Sequence, residues 1–393
     1  MLTRLLYGRK FQPVKTLLAI VFFSLIIFPL YFWHIGNLTK GLSPAEVSAR
    51  MASSSLQSII DNPVYAPHKI VQYATQKAAS PTAANLRIVS SVFAIGILFC
   101  FYVLVKGWFG RQIGFLATLI LGATPWVVLL SRNASADILL LAPAVILACY
   151  YWLTKSKSSL SLIGLVAASA LSLYVPGMVW LVVIGAVAAK SNIAKAASHL
   201  SKGRKSLATV LGLILLAPLI YGSAKSPSLL KPLFFLPDAW PQVTETIKSI
   251  AWSTLSLIWR TPAHIDILIG RLPILDYVQI ILAFFGGFAL YRLARNKLYI
   301  LMGLIIVSVI GAGINKNPVL LTLALPATAV LVAAGLRYLY MEWRSVFPKN
   351  PIPKYLALVL LLGVVGLHIF YGLRYSLSAW PNTKETRVTY VLK

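Results

Sequence analysis

Long runs of apolar residues, separated by short polar segments, dominate the sequence. About eleven runs are present, at 14–33, 87–105, 113–130, 138–153, 160–174, 176–189, 207–222, 274–291, 298–313, 318–336 and 355–372. An α-helix rises about 1.5 Å per residue, so roughly 20 apolar residues cross a bilayer core about 30 Å thick. The pattern predicts an all-α, polytopic membrane protein with about 11 transmembrane helices, in a single transmembrane domain over residues 1–393. The fifth and sixth runs, split only at 174–177, form either a tight hairpin or one kinked element.

Two segments between the runs are too long to be simple connections. The first, 34–86, contains two helix-like pieces, from Ser43 to about Ile60 and from Pro67 to about Ala79. Both are only moderately apolar, which predicts interfacial helices in the first extracytoplasmic loop. The second, 223–272, carries tryptophans and phenylalanines among prolines, a composition typical of head-group depth. It is either a mobile flap over a lipid-facing pocket or a passive interfacial belt.

Composition supports lipid as the solvent of this chain. Hydrophobic residues make up 59% and charged residues 11% of the sequence, whereas a soluble domain has about 25% charged residues. We attribute the net charge of +27 to Lys/Arg-rich cytoplasmic loops and anionic lipid, and expect no nucleic-acid partner. Arg4, Arg9, Lys10 and Lys15 precede or open the first run, and no cleavage site follows closely. This favours an uncleaved signal anchor in the plasma (inner) membrane with a cytoplasmic N-terminus.

The acidic residues are distributed unequally between the two predicted faces. Of nine acids, one, Glu342, falls in an inner loop, and the others fall outside: Glu46, Asp61, Asp137, Asp238, Glu245, Asp266, Asp276 and Glu385. Carboxylate chemistry would therefore take place on the extracytoplasmic face. The alternative is that acids are simply disfavoured beside anionic lipid of the inner leaflet.

Motifs of several enzyme classes are absent. The sequence has no GxxxxGK[ST] phosphate loop, no HExxH, no GxSxG and no clustered Cys/His set. This argues against an ATP-driven pump, a zinc protease and a serine hydrolase, and we expect neither a metal nor a cofactor. His264 and Asp266 share an outer loop, but a lone H-x-D pair is a weak metal signal.

Glu46 follows a capping-box pattern, with Ser43 at the N-cap, Pro44 at N1 and Glu46 at N3. It either caps a helix or acts as a general base, and these roles are compatible. Arg87 opens the second run and either binds phosphate or snorkels to the interface. Arg132 and Asp137 precede the fourth run, where an ion pair locking two helices is the alternative to a functional role.

The order of these features resembles a known family. An acidic outer loop is followed by R-x-x-S at Arg87, F-G-R at the inner turn ending at Arg111, T-P at Thr124, and R-x-A-x-x-D from Arg132 to Asp137. Over roughly residues 10–155 this resembles the GT-C-fold integral membrane glycosyltransferases, in particular the protein O-mannosyltransferase and aminoarabinose transferase group.

The resemblance implies a glycosyltransferase of the cell envelope. It would move a sugar from a polyprenyl-phosphate-linked donor to a lipid, glycan or protein acceptor on the extracytoplasmic face. Glu46 and Asp137 match the family's catalytic acids, and four residues would bind the donor phosphate: Arg87, Arg132, Lys69 and Arg50. The family's D-E-x-R loop motif has Ala45 and Ser48 in place of its first acid and its arginine.

Two other classes remain open from the sequence. A lipid or polyisoprenoid transporter or flippase would require charges near the bilayer midplane and broken helices in matching halves. The charges instead cluster at the outer ends of the runs. A non-catalytic membrane protein of the same fold would use Glu46, Arg87 and Asp137 for stability alone.

Overall fold

The structure, a computed structural model, describes residues 12–237, 239–346 and 350–392. Arg4, Arg9 and Lys10 of the basic flank and Asp238 among the predicted outer acids lie outside the described residues. Within the described ranges the fold is helical, without named strands, and has one isolated antiparallel bridge, between Leu42 and Leu392. The all-α prediction is confirmed.

Eighteen α-helices are described in these ranges. In chain order they are α1 Gln12–Phe32, α2 Pro44–Ala52, α3 Leu56–Asp61, α4 Ala66–Ala78, α5 Ala83–Phe109, α6 Arg111–Ala123, α7 Pro125–Ser131, α8 Pro143–Ser156, α9 Ser159–Ser172, α10 Met178–Ser198, α11 Lys202–Lys225, α12 Leu230–Leu233, α13 Val243–Ile258, α14 Tyr277–Leu293, α15 Arg295–Asn315, α16 Leu325–Val346, α17 Pro351–Arg374 and α18 Lys384–Thr389. Short 3₁₀ segments include Asp137–Leu141 before α8 and Pro318–Ala324 before α16.

The apolar helices make this a multi-pass membrane protein. By length and composition, six helical segments in the described part of the chain can cross a membrane, or seven if the bent pair α6–α7 is one span. Shorter apolar helices fall at Phe23–Phe32, α9 and α14. Each of the eleven predicted runs coincides with helical structure, but the count of 11 spans stays a prediction. The fifth and sixth runs are separate helices, because α9 ends at Ser172 and α10 begins at Met178.

A sharp bend separates α6 from α7. The two helix axes meet at 65°, and Pro125 stands at the first position of α7. Proline has no N–H to continue the hydrogen bonding of the preceding helix, and its ring clashes with that helix. The buried helix α7 therefore runs in a different direction from α6. The turn 132–137 follows α7 and lies at the same end of the bundle as the first long loop.

Helices α14 and α16 pack in unusually close contact. Gly286 and Gly335 face each other across this pair, and a Cβ atom at either position would overlap a backbone carbonyl oxygen of the partner helix. Small residues of this kind allow membrane helices to approach closely. The span formed by α16 and its preceding 3₁₀ segment is buried inside the bundle, so this close pair fixes the centre of the fold.

The first long loop contains three helices rather than the two predicted. The first predicted piece, from Ser43 to Ile60, is divided into α2 and α3. The division falls at Ser53–Ser55, because Ser55 caps α3 and accepts a hydrogen bond from the Ser58 N–H. Serine competes with the helix backbone for hydrogen bonds and therefore favours a new helix start. The second piece corresponds to α4.

Candidate active site

The Glu46 carboxylate is completely buried and fully hydrogen bonded. The predicted capping box is present: the Ser43 side chain accepts from the Glu46 N–H, and Glu46 Oε2 accepts from the Ser43 N–H at 3.0 Å. Arg87 donates to both carboxylate oxygens, at 2.7 Å from Nε and 2.8 Å from an Nη atom. The Ala134 N–H adds a fourth bond at 3.0 Å. An acid with four donors has little capacity left to accept a proton from a substrate.

Arg87 and Arg132 direct their guanidinium groups into the protein. Besides Glu46, Arg87 donates to the backbone carbonyls of Ile35 and Gly41. Arg132 donates to the carbonyls of Leu30 and Trp33, at 3.0 and 2.7 Å. Their exposed fractions are 3% and 6%. Burial, and then the positive charge of Arg87, lower the pKa of Arg132 to about 10.

The predicted alternative of an ion pair between Arg132 and Asp137 is wrong. Arg132 instead binds the carbonyls at the end of α1, and Asp137 accepts a hydrogen bond from the Tyr65 hydroxyl at 3.2 Å. Arg87 also does not snorkel to a solvated interface, because it is buried against Glu46. Both arginines act as ties between the ends of helices and the first loop.

Side chains of three helices hold the turn 132–137 through hydrogen bonds to its backbone. The backbone of Ala134 accepts a hydrogen bond from Gln72 in α4 and donates one to Glu46 in α2. The Ser135 carbonyl accepts from Ser90 in α5. Because three different helices hold this turn through its backbone, the side chain of Asp137 leaves it in a defined direction.

Asp137 is the less constrained of the two predicted catalytic acids. Its carboxylate is half-buried, and the Tyr65 hydroxyl is its one hydrogen-bonded neighbour from the first loop. Burial raises the pKa of Asp137, while hydrogen bonds from Ser135 and Tyr65 oppose the rise. A carboxylate with a raised pKa and spare acceptor capacity suits general-base chemistry.

A second carboxylate and a histidine lie near Asp137. The negative charge of Asp266 raises the pKa of Asp137, and His264 lowers it. Asp266 accepts a hydrogen bond of 2.6 Å from the hydroxyl of the buried Tyr390. His264 Nδ1 is buried and has no hydrogen-bond partner in the described part of the chain. No group of three or more metal-ligating side chains suited to a metal ion occurs among the described residues.

Lys69 and Arg50, the other two predicted phosphate ligands, differ in burial. Lys69 is buried in α4, and its ammonium group donates to the Asn62 carbonyl at 2.8 Å. Burial lowers the pKa of Lys69 to about 8. Arg50 is half-buried in the last turn of α2. The structure thus pairs Glu46 with Arg87 and places Arg132 close to Arg87, with Lys69 on α4 one helical turn after Tyr65.

Arg260 and Arg271, which were not among the site residues predicted from the sequence, line two cavities at this end of the bundle. The first, here the aromatic cavity, has a volume of about 570 Å³ and is also lined by Trp126, Trp259, Tyr277, Tyr371 and Tyr375. The second, here the serine cavity, has a volume of about 490 Å³ and is also lined by Ser249, Ser253, Ser256, Trp252 and Lys316. Both arginines are exposed, and neither guanidinium has an ion-pair or hydrogen-bond partner among the described residues. Two arginines in a predicted outer loop, against the positive-inside bias, were the available signal.

The aromatic cavity adjoins an apolar groove inside the helix bundle. The groove has a volume of about 320 Å³ and lies between α14, α16 and α17, with Leu282, Leu336 and Val364 among its walls. The two spaces share Asp276, Tyr277, Gln279, His368 and Tyr371 as lining residues. A polar entrance with arginines therefore leads into an apolar interior.

This helical arrangement is the fold of the GT-C membrane glycosyltransferases. The structure resembles ArnT from Cupriavidus metallidurans in the apo state, with a TM-score of 0.51 at 14% identity, over 95% of this chain and 75% of that chain. It also resembles the oligosaccharyltransferase of Archaeoglobus fulgidus tethered with an acceptor peptide containing the NVT sequon, with a TM-score of 0.57 at 13% identity, over 97% of this chain and 59% of that chain. At these identities the likeness shows the fold alone.

The sequence comparison agrees over part of the chain. Residues 72–221 match the sequence profile of the dolichyl-phosphate-mannose-protein mannosyltransferases. That range begins within α4, ends within α11 and includes Arg87, Arg132 and Asp137. No curated protein matches the sequence. The predicted resemblance to the group of protein O-mannosyltransferases and ArnT is thus confirmed.

Proposed function

We propose that the protein is a glycosyltransferase that takes a sugar from a polyprenyl-phosphate donor and transfers it to an acceptor on the extracytoplasmic face. The observation that carries this proposal is the combination of the GT-C fold with Asp137, a half-buried carboxylate in the matched range 72–221. The match to a family named for dolichyl-phosphate-mannose supports a lipid-linked donor.

In the proposed reaction Asp137 is the catalytic base. The acceptor oxygen forms a bond with the anomeric carbon of the sugar, and the bond from that carbon to the donor phosphate oxygen breaks. Polyprenyl phosphate leaves with the electron pair, and the proton of an acceptor hydroxyl passes to Asp137. Because phosphate is a good leaving group, positioning and charge stabilisation supply much of the rate enhancement.

Tyr65 positions the proposed base. It stands at the N-cap of α4 with φ of 61°, in the left-handed region, and its N–H donates to the Tyr174 carbonyl at 2.8 Å. A tyrosine in this backbone conformation is uncommon and requires support from its surroundings. The Tyr65 hydroxyl donates to Oδ1 of Asp137, and this bond together with that from Ser135 holds the carboxylate in place.

The donor would occupy the aromatic cavity and the adjoining apolar groove. Arg260 and Arg271 would hold its phosphate, since a guanidinium binds phosphate through two parallel hydrogen bonds. The isoprenoid chain would enter the groove between α14 and α17. Arg87 and Arg132 would not bind the donor phosphate, because internal carbonyls and Glu46 already accept their hydrogen bonds.

Glu46 becomes a positioning residue in this proposal rather than a base. Through the Ala134 N–H it holds the turn that carries Asp137, and through Arg87 it joins that turn to α5. A lipid transporter would favour broken helices in matching halves. The described part of the chain has a single sharply bent pair, α6–α7, which gives no support to that alternative.

The test is transfer of a labelled sugar by the protein in lipid nanodiscs. Polyprenyl-phosphate sugars labelled in the ring are incubated with the protein and with extracts of the cell envelope. We expect the label to leave the carrier and polyprenyl phosphate to accumulate, and Asp137→Asn to abolish both. Asp61→Asn is the matched control, because Asp61 is an exposed carboxylate of the first loop and is paired with Lys225. Flipping of a labelled lipid without sugar transfer would contradict the proposal.

A further inference from the structure

Arg260 and Arg271 line the aromatic cavity and the serine cavity alike, so they form the partition between them. A guanidinium carries five N–H donors in a fixed planar arrangement, enough to serve ligands on two sides. No described side chain accepts a hydrogen bond from either guanidinium group. Both positive charges are therefore available to anionic ligands. If the donor phosphate occupies one side, the other side faces a second substrate.

The serine cavity is the more positive of the two. Lys316 joins the two arginines in its lining, and no carboxylate is among its described lining residues. The aromatic cavity, by contrast, includes Asp276. Lys316 is paired with Glu245 at 3.3 Å, but both side chains are more than half exposed. An exposed pair of this kind contributes only about 0–1 kcal/mol, so Lys316 can exchange Glu245 for an anionic ligand.

The walls of the serine cavity indicate access from the membrane surface. Ser249, Ser253 and Ser256 lie on one face of α13 and line the cavity. Other faces of α13 expose large apolar side chains, including Ile247 and Leu255, and Trp252 of the cavity lining is also exposed. This composition is typical of a helix in the interfacial plane, where tryptophan sits at head-group depth. A lipid-anchored molecule therefore reaches the cavity more directly than a soluble one.

We infer that the serine cavity binds the acceptor, and that the acceptor is an anionic lipid whose phosphate lies between Arg260, Arg271 and Lys316. This rests on the proposed function, and it names the acceptor class which that proposal leaves open. Two anionic substrates repel each other at short distance, and cations placed between them remove most of that cost. A neutral peptide hydroxyl would offer no negative charge to Arg260, Arg271 and Lys316. The volume of about 490 Å³ is of the usual size for a ligand site.

The experiment measures binding of dioctanoyl phosphatidic acid to the protein in nanodiscs of neutral lipid, with dioctanoylglycerol as the uncharged probe. Lys316→Gln should weaken phosphatidic acid binding about tenfold, the loss typical of one charge-assisted contact. Lys248→Gln is the matched control, because Lys248 is exposed on α13 and does not line the cavity. It should change nothing. Equal binding of the two probes, or unchanged binding in Lys316→Gln, would overturn the inference.

Polyprenyl phosphate serves as the second ligand and separates the two sites. Arg260→Gln and Arg271→Gln should weaken both polyprenyl phosphate and phosphatidic acid, whereas Lys316→Gln should weaken phosphatidic acid alone. If phosphatidic acid binds as expected but no labelled sugar leaves a polyprenyl carrier, the anion site stands and the proposed function fails. If sugar moves to a peptide or a neutral glycan, the function stands and the anionic acceptor is wrong.

Discussion

The Glu46 carboxylate and the Arg87 guanidinium form a two-point ion pair inside the protein, with N–O distances of 2.7 and 2.8 Å. The exposed fractions are 0% for Glu46 and 3% for Arg87. A pair this deeply buried gives little net stability compared with apolar residues, but removal of one partner leaves an uncompensated charge. The pair therefore locks α2 to α5, and its loss should be seen first in stability.

Glu46→Gln tests this assignment directly, because glutamine can keep the capping box but leaves the Arg87 charge unpaired. We expect a loss of about 3–5 kcal/mol in stability, the usual cost of breaking a buried pair. Thermal unfolding in detergent, followed by the fraction of monomer that survives heating, measures the loss. The double variant Glu46→Gln/Arg87→Gln should recover part of it.

Sugar transfer per folded molecule gives the second measurement on the same variant. It should fall far less in Glu46→Gln than in Asp137→Asn. A Glu46→Gln protein with normal stability and no transfer would instead make Glu46 the base, as the resemblance to the GT-C glycosyltransferases implied.

In contrast to Glu46→Gln, Asp137→Asn should keep its stability and lose sugar transfer. The asparagine oxygen still accepts the Tyr65 hydrogen bond, so we expect near-normal stability. Transfer should fall about 10²–10⁴-fold, the contribution typical of a general base. Single-turnover transfer with a bound polyprenyl-phosphate sugar measures the chemical step apart from donor binding. A fall in donor affinity without a change in that step would place Asp137 in binding alone.

The pH dependence of transfer provides an independent check with a defined sign. A base acts in its deprotonated form, so transfer is lost as pH falls through the raised pKa of Asp137. Asp266→Asn removes a negative charge that raises this pKa, and should move the acid limb of the profile to lower pH. His264→Gln removes an effect that lowers the pKa, and should move the limb to higher pH. Shifts in the same direction would exclude Asp137 as the titrating group.

Local patterns predicted the helical fold and the capping box, whereas the composition of the site required the structure. Ser43 and Glu46 are three residues apart, so helix geometry alone relates them. Glu46 and Arg87 are separated by 41 positions, and nothing in either local sequence names the other. Arg87 therefore matched a phosphate ligand from sequence, although its donors are taken by Glu46 and backbone carbonyls.

For the same reason, the sequence did not predict the roles of Tyr65, Tyr390 and the two unpaired arginines. Tyr390 lies 124 positions from Asp266, and the turn 132–137 is assembled from contacts with three other helices. These contacts depend on how the helices pack, which periodicity does not encode. The number of spans is similarly open, because α9 and α14 are apolar but short.

Because α14 and α16 approach closely, substitution by alanine should affect stability very differently at two adjacent glycines. Gly286→Ala places a methyl group against the backbone of α16 and should destabilise the protein by about 1–3 kcal/mol, as overpacking does. Gly287→Ala meets no atom within 4 Å and should be neutral or slightly stabilising, because alanine favours a helix. Thermal unfolding of the two variants in the same detergent measures the contrast. Equal stability of the two would mean that the helices separate in the membrane.

The bridge between Leu42 and Leu392 joins segments that are 350 positions apart, through backbone hydrogen bonds of 2.7 and 3.2 Å. During synthesis Leu42 leaves the ribosome long before Leu392. Contacts of such high sequence separation form late in folding. The capping box needs only residues 43–46, but the contact of Tyr390 with Asp266 forms only after the spans between have inserted. If the protein transfers a lipid-linked sugar as proposed, a partly inserted chain would therefore be inactive and would not consume that sugar.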